Sequence, residues 1–249
     1  MNRGVQLFDI AGRHALVTGG GSGLGRSMAL ALRDAGAKVA IVGRSERVLA
    51  GIADGFQPIR IDLSARGASE QAVEQCLSLL GGLDILITAH AIVSRSKSED
   101  FDIREWQATI DINLVSVFQV CQAAGRKFLR AGRGKIINIA SMLSFSGGLY
   151  ASAYAASKGG IAQLTKALAN EWASRGVNVN AIAPGYFETE LNQALRADPI
   201  RNRQILDRLP AGRWGNGKDL EGALLFLSSP ASDYVHGIVL PVDGGWLAR

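Results

Sequence analysis

Tyr154 and Lys158 are the two residues whose types and spacing point most directly to chemistry. They stand four positions apart in a run of helical composition, so both side chains are expected on one helix face, about 6 Å apart along the axis. An ammonium group beside a buried phenol favours the phenolate and predicts a tyrosine pKa lowered from about 10 toward neutrality. Such a tyrosine can act as a general acid or base. Since Tyr-x-x-x-Lys is common, a helix-surface pair without a catalytic role is the alternative.

A glycine-rich segment, Thr18-Gly-Gly-Gly-Ser-Gly-Leu-Gly25, follows the first predicted strand and opens the first predicted helix. Glycines allow close approach to a pyrophosphate, and a helix N-terminus attracts phosphate groups. The strict G-x-G-x-x-G fingerprint is not met, because Leu24 and Arg26 occupy the positions of its last glycine. A dinucleotide site is predicted, with a plain strand-to-helix turn as the alternative. The predicted cofactor contacts in this segment are Thr18, Gly19, Gly21, Ser22, Gly23, Leu24 and Gly25.

The end of the second predicted strand bears on which dinucleotide binds. An NAD site normally places a carboxylate there for the ribose diol, whereas this chain has Gly43 followed by Arg44. A guanidinium group suits the 2′-phosphate of NADP(H), which is therefore the predicted cofactor. NAD(H) and a merely solvated Arg44 stay the alternatives. Asp62 is predicted to accept from the adenine amino group beside Leu63, or else to cap a helix together with Ser64.

Short β-branched runs alternate with longer helical patterns along the whole chain, which predicts βαβ units and a parallel sheet covered by helices on both faces. No linker or repeat interrupts them, so one domain over residues 1–249 is predicted, with 187–217 as a substrate lid. The predicted strands are His14–Thr18, Lys38–Val42, Pro58–Ile61, Leu83–Thr88, Lys135–Ala140, Val177–Ile182 and Ile238–Val242. The predicted helices are Gly23–Ala35, Ala65–Leu80, Ile103–Arg130, Ala151–Arg175 and Gly217–Leu227, with helical patches at Glu190–Arg196 and Ile200–Leu209.

The composition, 47% hydrophobic and 20% charged over 249 residues, is typical of a globular protein. The net charge is +5, but lysine and arginine are scattered, so no nucleic-acid partner is expected. Neither an export signal nor an apolar run of membrane-spanning kind is found, and a soluble cytoplasmic protein is predicted. Cys76 and Cys121 lack metal-ligand spacing and are predicted to be buried or free thiols, so no metal site is expected.

Four features occur in a fixed order: Thr18–Gly25, Asn113 in Asp-Ile-Asn-Leu, Ser141 in Asn-Ile-Ala-Ser, and Tyr154 with Lys158. Together with Pro184-Gly185 and a terminal Val-Asp-Gly-Gly, they resemble the short-chain dehydrogenase/reductases over essentially the full length. The stretches from Pro184 to Leu191 and from Gly212 to Gly215 are most similar to gluconate 5-dehydrogenases and related sugar-acid dehydrogenases. The resemblance implies a doubly wound Rossmann-type domain with a seven-stranded parallel sheet in the order 3-2-1-4-5-6-7.

The resemblance also implies a role for each matched residue. Tyr154 would give a proton to a carbonyl oxygen or take one from an alcohol, while Lys158 would lower its pKa and hold the nicotinamide ribose. Ser141 would hydrogen-bond the substrate oxygen, or else be purely structural. Asn113 would bind a water that links Lys158 to solvent, or else only cap or kink its helix.

Three residues after the sixth predicted strand complete the expected cofactor site: Pro184, Gly185 and Thr189. Thr189 would contact the carboxamide group of the nicotinamide. A simple N-cap of the helix that begins at Glu190 is an equally weighted alternative.

The chain departs from the family after the fourth strand, where Thr88-Ala-His-Ala91 replaces the usual Asn-Asn-Ala-Gly. The small residues Ala89 and Ala91 still permit close approach of the cofactor ribose. His90 is interpreted as structural, with a catalytic base as the alternative. Arg95 could hold a substrate carboxylate on the next loop, although a solvated loop charge is the preferred interpretation.

The predicted function is reversible hydride transfer between NADP(H) and a secondary alcohol or ketone, on a sugar acid such as gluconate or 5-ketogluconate. The alternatives are a 3-oxoacyl-carrier or other small-ketone reductase, and a sensor that binds NADP(H) without turnover. The expected partners are a small-molecule substrate and, through apolar seams in 102–130 and 151–175, further copies of the chain in a homotetramer.

Overall fold

A computed structural model describes residues 3–51 and 55–249. Its centre is a seven-stranded sheet in the order β3-β2-β1-β4-β5-β6-β7, with every neighbouring pair parallel. The predicted fold class and strand order are confirmed, and each predicted strand overlaps an observed one with shifts of at most two residues at either end. The strands are β1 (His14–Thr18), β2 (Lys38–Gly43), β3 (Phe56–Arg60), β4 (Ile85–Thr88), β5 (Gly134–Ile139), β6 (Val177–Pro184) and β7 (Val239–Val242).

Apart from one predicted helix that is divided in two, the observed helices agree with the predicted ones, with two minor kinds of difference. Short helices α1 and α3 were not predicted, and several helices begin or end as a turn of 3₁₀-helix, among them Gly217–Leu220 and Ala173–Arg175. In the described residues, the α-helices are α1 (Arg3–Gln6), α2 (Gly23–Asp34), α3 (Glu46–Ala50), α4 (Ala68–Leu80), α5 (Ile103–Ile110), α6 (Ser116–Ala131), α7 (Ser152–Trp172), α8 (Gln193–Ala197), α9 (Pro199–Arg208) and α10 (Glu221–Ser228). The remaining 3₁₀ turns are Ser98–Asp100, Met142–Ser144, Glu190–Asn192, Pro230–Ser232 and Trp246–Ala248.

The prediction of one continuous helix over Ile103–Arg130 is wrong. A π-helical turn, Asp111–Val115, separates α5 from α6 and widens the backbone there. Asn113 lies in this turn, fully buried. Because the turn changes the direction of the side chains at this point, the amide side chain of Asn113 lies inside the protein.

The central strands are buried on both faces, which is why they lack the alternation of a half-exposed strand. Successive residues of β1 enter different cores: Leu16 packs in the cluster that contains Phe128 of α6, and Val17 packs in the cluster that contains Met28 of α2. The two clusters cover opposite faces of the sheet. The packing on both faces fixes the sheet, so that the carboxyl ends of the parallel strands lie at one edge. The loops that follow the strands at this edge contain the polar residues of the site.

The strand order places a crevice beside β1. This strand pairs with β2 on one side and with β4 on the other, so the chain leaves it in opposite directions in the two halves of the sheet. At the carboxyl end of the pair, Thr18 is in register with Thr88. Such a switch point opens a crevice in which open α/β sheets bind ligands.

The segment 187–217 contains the predicted helical patches, displaced by one residue at three of their four ends. Asp198 caps α9 by accepting from the backbone N–H groups of Ile200 (2.9 Å) and Arg201 (3.1 Å), and Pro199 occupies the first helical position. The segment packs through Ile205 and through a small core that it shares with other parts of the chain. That core comprises Met142, Ile205, Leu209, Trp214 and Trp246.

Cys76 and Cys121 are buried free thiols, and burial raises the pKa of each to about 12. They are therefore inert thiols in the hydrophobic core. None of the helices in the described part of the chain has the length and apolar character needed to cross a membrane.

Candidate active site

A cavity of about 920 Å³ opens at the carboxyl edge of the sheet, beside β1. We call its wall along Gly19–Gly25, Arg44 and Asp62 the cofactor half, and its wall along Ser141–Ala151, Tyr186–Arg208 and Trp246 the substrate half. The predicted site residues that line it are Gly19, Gly21, Ser22, Gly23, Leu24, Gly25, Arg44, Asp62, Leu63, Ala89, Ala91, Ser141, Tyr154, Lys158, Pro184, Gly185 and Thr189. Thr18 and Asn113, also predicted to contact the cofactor, lie behind the wall, where both are fully buried.

The glycine-rich segment forms a cradle that side chains would fill. A Cβ on Gly19 would stand 2.8 Å from the Cα of His90, and a Cβ on Gly25 would collide with the carbonyl oxygen of Gly19. Gly23 begins α2 with a φ of 51° and open space beyond it. The N-cap residue Ser22 makes no side-chain capping bond, so the first N–H groups of α2 remain available to an anion. This geometry fits a dinucleotide diphosphate.

Arg44 is exposed at the rim of the cavity and, within the described residues, has no hydrogen bond or ion pair. The hydrogen bonds from Ser64 are the main cause of the lowered pKa of Asp62, and the charge of Arg44 lowers that pKa further. Asp62 accepts from the backbone N–H (3.0 Å) and hydroxyl (2.8 Å) of Ser64 through one oxygen. This contact is a turn and not a helix cap, because α4 begins only at Ala68 with Gly67 at its N-cap. An adenine contact of Asp62 stays a prediction.

Tyr154 and Lys158 project from α7 toward the cavity as their spacing predicted. The Lys158 side chain is 2% exposed and donates to the carbonyl oxygen of Ile139 at 2.6 Å, with its ammonium nitrogen 5.7 Å from the centroid of the tyrosine ring. Burial lowers the pKa of Lys158 to about 8.

The prediction of a lowered Tyr154 pKa is wrong in this structure. Burial raises that pKa, and a hydrogen bond with the Ser141 side chain and the positive charge of Arg95 offset the rise only in part. The physical reason is that desolvation of the phenol outweighs the favourable charges around it. The Lys158 ammonium group is directed to Ile139 and lies over the ring, not at the phenolic oxygen.

Two serines after β5 have different positions. Ser141 lines the cavity beside Tyr154, and its hydroxyl also accepts from the backbone N–H of Leu143 at 3.1 Å. Ser144 donates to the carbonyl oxygen of Lys158 at 2.6 Å and accepts from the backbone N–H of Ser141. Ser144 therefore ties the loop to α7, which leaves Ser141 as the serine that faces the cavity.

Asn113 uses its side chain to hold the loop that follows β4. Its amide nitrogen donates to the carbonyl oxygen of Ile92 (2.9 Å) and to the hydroxyl of Ser157 (3.2 Å), and its amide oxygen accepts from the backbone N–H of Ile92 (2.8 Å). Ser157 in turn donates to the carbonyl oxygen of Tyr154 at 2.7 Å. The helix-distorting alternative fits this geometry, and the water relay stays a prediction.

His90 bridges the two strands at the switch point. Its Nδ1 lies 2.6 Å from the hydroxyl of Thr18, and its Nε2 lies 2.8 Å from the hydroxyl of Ser116. With Nε2–H donating to Ser116 and Nδ1 accepting from Thr18, Ser116 keeps its 2.7 Å bond to the carbonyl oxygen of Ile112, and only the longer 3.3 Å contact of Thr18 with the carbonyl oxygen of Ile87 is given up. Burial, aided by the charge of Lys158, lowers the pKa of His90 to about 3. The ring is neutral with both nitrogens bonded, which supports the structural interpretation.

Pro184, which ends β6, and the next two predicted residues, Gly185 and Thr189, line the cavity. A Cβ on Gly185 would stand 2.7 Å from the Cα of Asp243, so only glycine fits. Thr189 occupies the N-cap position of a 3₁₀ turn, Glu190–Asn192, but makes no capping bond with its side chain. Its hydroxyl is thus free of the capping role weighed as the alternative.

The substrate half contains residues that sequence patterns did not single out. Tyr186 lies edge-on to two tryptophans, with ring centroids 5.3 Å from Trp214 and 4.8 Å from Trp246. Arg208 stacks over the ring of Trp246 at 4.0 Å, and Arg201 lines the same wall. The signals in the sequence were the stretches 184–191 and 212–215, which contain Tyr186 and Trp214, and the predicted lid over 187–217; nothing pointed to Trp246.

Arg95 lines the cavity near both tyrosines. Its positive charge lowers the pKa of Tyr154 and that of Tyr186 against the effect of burial. Within the described residues it has no ion pair. Arg95 is exposed on its loop, as a solvated charge would be, and it also lines the cavity, so its contact with a substrate carboxylate stays a prediction.

Comparison with known proteins agrees with this geometry. Residues 13–200 match the family model for short chain dehydrogenase. The chain is 44% identical to the 2-dehydro-3-deoxy-D-gluconate 5-dehydrogenase of Dickeya dadantii, over 98% of this chain and 99% of that protein.

Solved structures are similar over nearly the whole fold. A gluconate 5-dehydrogenase from Burkholderia cenocepacia, crystallised with NADP and tartrate, superposes with a TM-score of 0.95 at 38% identity, covering 99% of this chain and 100% of that one. A protein from Agrobacterium tumefaciens with bound NADP, provisionally described as a 2-deoxy-D-gluconate 3-dehydrogenase, gives a TM-score of 0.91 at 47% identity, covering 98% and 99% of the two chains. With its strand order, phosphate cradle and Ser141–Tyr154–Lys158 group, this chain belongs to the short-chain dehydrogenase family.

Proposed function

We propose that this protein catalyses reversible hydride transfer between NADP(H) and a secondary alcohol or ketone of a sugar acid, such as gluconate and 5-ketogluconate or a 2-keto-3-deoxy relative. The observation that carries the proposal is the position of Arg95. Its unpaired guanidinium group lines the same cavity as Tyr154 and acts electrostatically on that phenol. A cation beside the proton-transfer group favours an anionic substrate.

The cofactor assignment rests on the cofactor half. NADP(H), when bound, supplies or accepts the hydride. The open N-terminus of α2 and the space beside Gly23 would hold its diphosphate, and Arg44 would bind the 2′-phosphate. Relatives crystallised with NADP support this choice.

The proton chemistry belongs to Tyr154 and Ser141. A phenol whose pKa is raised by burial remains protonated, so Tyr154 is suited to donate a proton to a carbonyl oxygen that Ser141 also contacts. In the oxidation direction the same phenol must lose its proton first, which requires the positive charges of Lys158 and Arg95. Asn113 contributes by fixing the Ile92 loop and, through Ser157, the first turn of α7.

We further propose that 187–217 is the substrate lid within a single domain of 249 residues. The segment contributes Thr189, Arg201 and Arg208 to the cavity, and its helix α9 packs through Ile205 in the small core that it shares with Met142 and Trp246, outside the two large ones. A wall that packs on this small core can move with little disturbance of the sheet.

A homotetramer in the cytoplasm completes the proposal. Apolar side chains remain exposed along the helices α5 and α6, namely Ile103 (72%), Val115 (41%) and Phe118 (39%). Such a seam favours association with further copies. Light scattering during size exclusion should give four times the chain mass, and a monomer would contradict this part.

The test of function is absorbance at 340 nm with purified protein. NADP⁺ and NAD⁺ are supplied separately with gluconate, 2-keto-3-deoxygluconate, matched polyols and simple secondary alcohols, and the reverse reaction is run with ketones. Turnover of the acids with NADP⁺ above that of the polyols is expected.

Preferential turnover of neutral ketones or of acyl-carrier thioesters would instead favour the small-ketone reductase. Tight cofactor binding by fluorescence with no turnover of any substrate would favour the sensor. Either result would contradict the proposal for a sugar acid.

A further inference from the structure

Three arginines of the substrate half come from two different parts of the chain. Arg95 is on the loop that follows β4, whereas Arg201 and Arg208 are on α9, within the segment 187–217. The charge of Arg95 lowers the pKa of both Tyr154 and Tyr186, whereas the charges of Arg201 and Arg208 lower that of Tyr186. All three line the cavity.

The two lid arginines have no acidic partner in the described residues. The Arg201 guanidinium donates only to the neutral amide oxygen of Gln204 at 3.0 Å, and Arg208 only stacks on Trp246. Other arginines of the same region are paired: Arg196 with Glu188 at 3.0 Å, and Arg203 with Asp207 at 2.9 Å. Within the described part of the segment 187–217, the guanidinium groups without an acidic partner are therefore those on the face of α9 that lines the cavity.

The stacking on Trp246 fixes one of these groups. A guanidinium plane 4.0 Å from the centroid of a buried indole keeps its N–H edges free for an oxyanion while its face is covered. Trp246 is itself held edge-on by Tyr186. Since Glu190 is the carboxylate that lines this half among the described residues, the wall carries an excess of positive charge.

We propose that Arg201 and Arg208 form an anion subsite on the lid, which binds a substrate carboxylate held several bonds away from the reacting carbon. The inference rests on the proposed function and sharpens it. The substrate class is an acid whose carboxylate and reacting carbinol are at opposite ends, with the carbinol at Tyr154 and Ser141. An acid with the carboxylate adjacent to the reacting carbon would reach Arg95 but not the lid.

The test compares Arg201→Gln and Arg208→Gln with Arg203→Gln as the matched control, because Arg203 is on the same helix but is paired with Asp207 on its exposed face. Steady-state rates are measured with NADP⁺ and gluconate and with the matching neutral polyol. Calorimetry measures gluconate binding to the NADPH-loaded protein, a dead-end complex in which no hydride transfer can occur.

The subsite predicts a KM for gluconate about tenfold or more higher, and equally weaker gluconate binding to the NADPH complex, in each lid variant, since a charge-assisted hydrogen bond is lost. Rates on the polyol and the behaviour of Arg203→Gln should stay unchanged, and Arg208→Lys should recover part of the loss. Lid variants indistinguishable from Arg203→Gln would overturn the subsite while gluconate turnover by the natural protein still upholds the function. Gluconate binding that depends on both arginines, without turnover of any sugar acid, would uphold the subsite and reject the proposed reaction.

Discussion

In the cofactor half, the cavity wall consists mainly of backbone and very small residues. A ligand can contact this backbone because Gly19 and Gly25 have no Cβ and because the side chain of Ser22 makes no capping bond. In the substrate half, the wall consists of large side chains from distant segments, where Tyr186, Trp214 and Trp246 pack edge to face. The first construction recognises an invariant group, the diphosphate, while the second can change with each substrate. The two halves should therefore respond differently to substitution.

The largest effect is expected from Tyr154→Phe, which separates chemistry from cofactor binding. Loss of the proton donor should lower kcat by about 10²- to 10⁴-fold, while NADP⁺ affinity stays within a factor of a few. Steady-state kinetics and fluorescence titration provide the two numbers. Tyr234→Phe is the control, since that ring is 99% exposed. Retention of most activity would remove Tyr154 from the chemistry.

Lys158 lines the cavity between the two halves, and its ionisation makes the stability of the protein depend on pH. Burial lowers its pKa from 10.5 to about 8, so the unfolded chain binds more protons between these values. Stability should consequently rise with pH through this window, with a total gain of ~3 kcal/mol at about 1.4 kcal/mol per pH unit.

Denaturant unfolding of the natural protein and of Lys158→Met, without cofactor, measures this effect as the difference between the two pH profiles. A difference that is flat from pH 8 to 10.5 would mean that the buried ammonium group is solvated better than its surroundings indicate.

Arg44 is the one long charged side chain assigned to the cofactor half, and Arg44→Asp tests it. Removal of a charge-assisted contact worth about 1.5–3 kcal/mol should raise the Kd for NADP⁺ by about 10- to 100-fold. The Kd for NAD⁺ should change much less. Equal losses for both cofactors would show that Arg44 does not bind the 2′-phosphate.

Gly25→Ala tests whether the cofactor half depends on the absence of a side chain. The new methyl would collide with the backbone of Gly19, and such overpacking costs about 1–3 kcal/mol, so NADP⁺ affinity should fall by about tenfold or more. Gly222→Ala, where the methyl meets nothing within 4 Å, is the control. If both variants bind NADP⁺ like the natural protein, the backbone of the glycine-rich segment adjusts to an added methyl group more easily than its geometry implies.

The smallest effect is expected from His90→Asn, at the switch point beside β1. Loss of the contacts to Thr18 and Ser116 should cost about 1–2 kcal/mol of unfolding free energy and weaken NADP⁺ binding by a few fold. A double-mutant cycle with Ser116→Ala measures the coupling. A large loss of kcat with unchanged cofactor affinity would favour the catalytic alternative for this histidine.

Sequence patterns predicted the fold, and the glycine-rich segment that lines the cavity, because both depend on local signals. Glycine spacing, apolar strands and glycines that follow helices act within a few residues, and Gly36, Gly81, Gly132 and Gly176 all have the positive φ of a left-handed residue. The family resemblance supplied the strand order, which no local pattern encodes.

The substrate half and the contacts around His90 were less predictable because both are tertiary. Trp246, which follows the last strand, packs edge-on against Tyr186. His90 meets partners 72 and 26 positions away. The π-turn at Asn113 also depends on a distant partner, Ile92, so a helical pattern could not reveal it. The spacing of Tyr154 and Lys158 was correct, yet the sign of the tyrosine pKa depended on burial, which spacing does not report.

The switch point beside β1 has a consequence for the lifetime of the protein. The two halves of the sheet meet where the diphosphate would bind, so a bound cofactor contacts segments on both sides and requires the folded chain. At a free cofactor concentration one hundred times its Kd, this linkage adds about 2.7 kcal/mol of stability and reduces the unfolded fraction about a hundredfold. Turnover of the protein by proteases would then follow the cellular supply of NADP(H), with the pool of cofactor setting the abundance of its own enzyme.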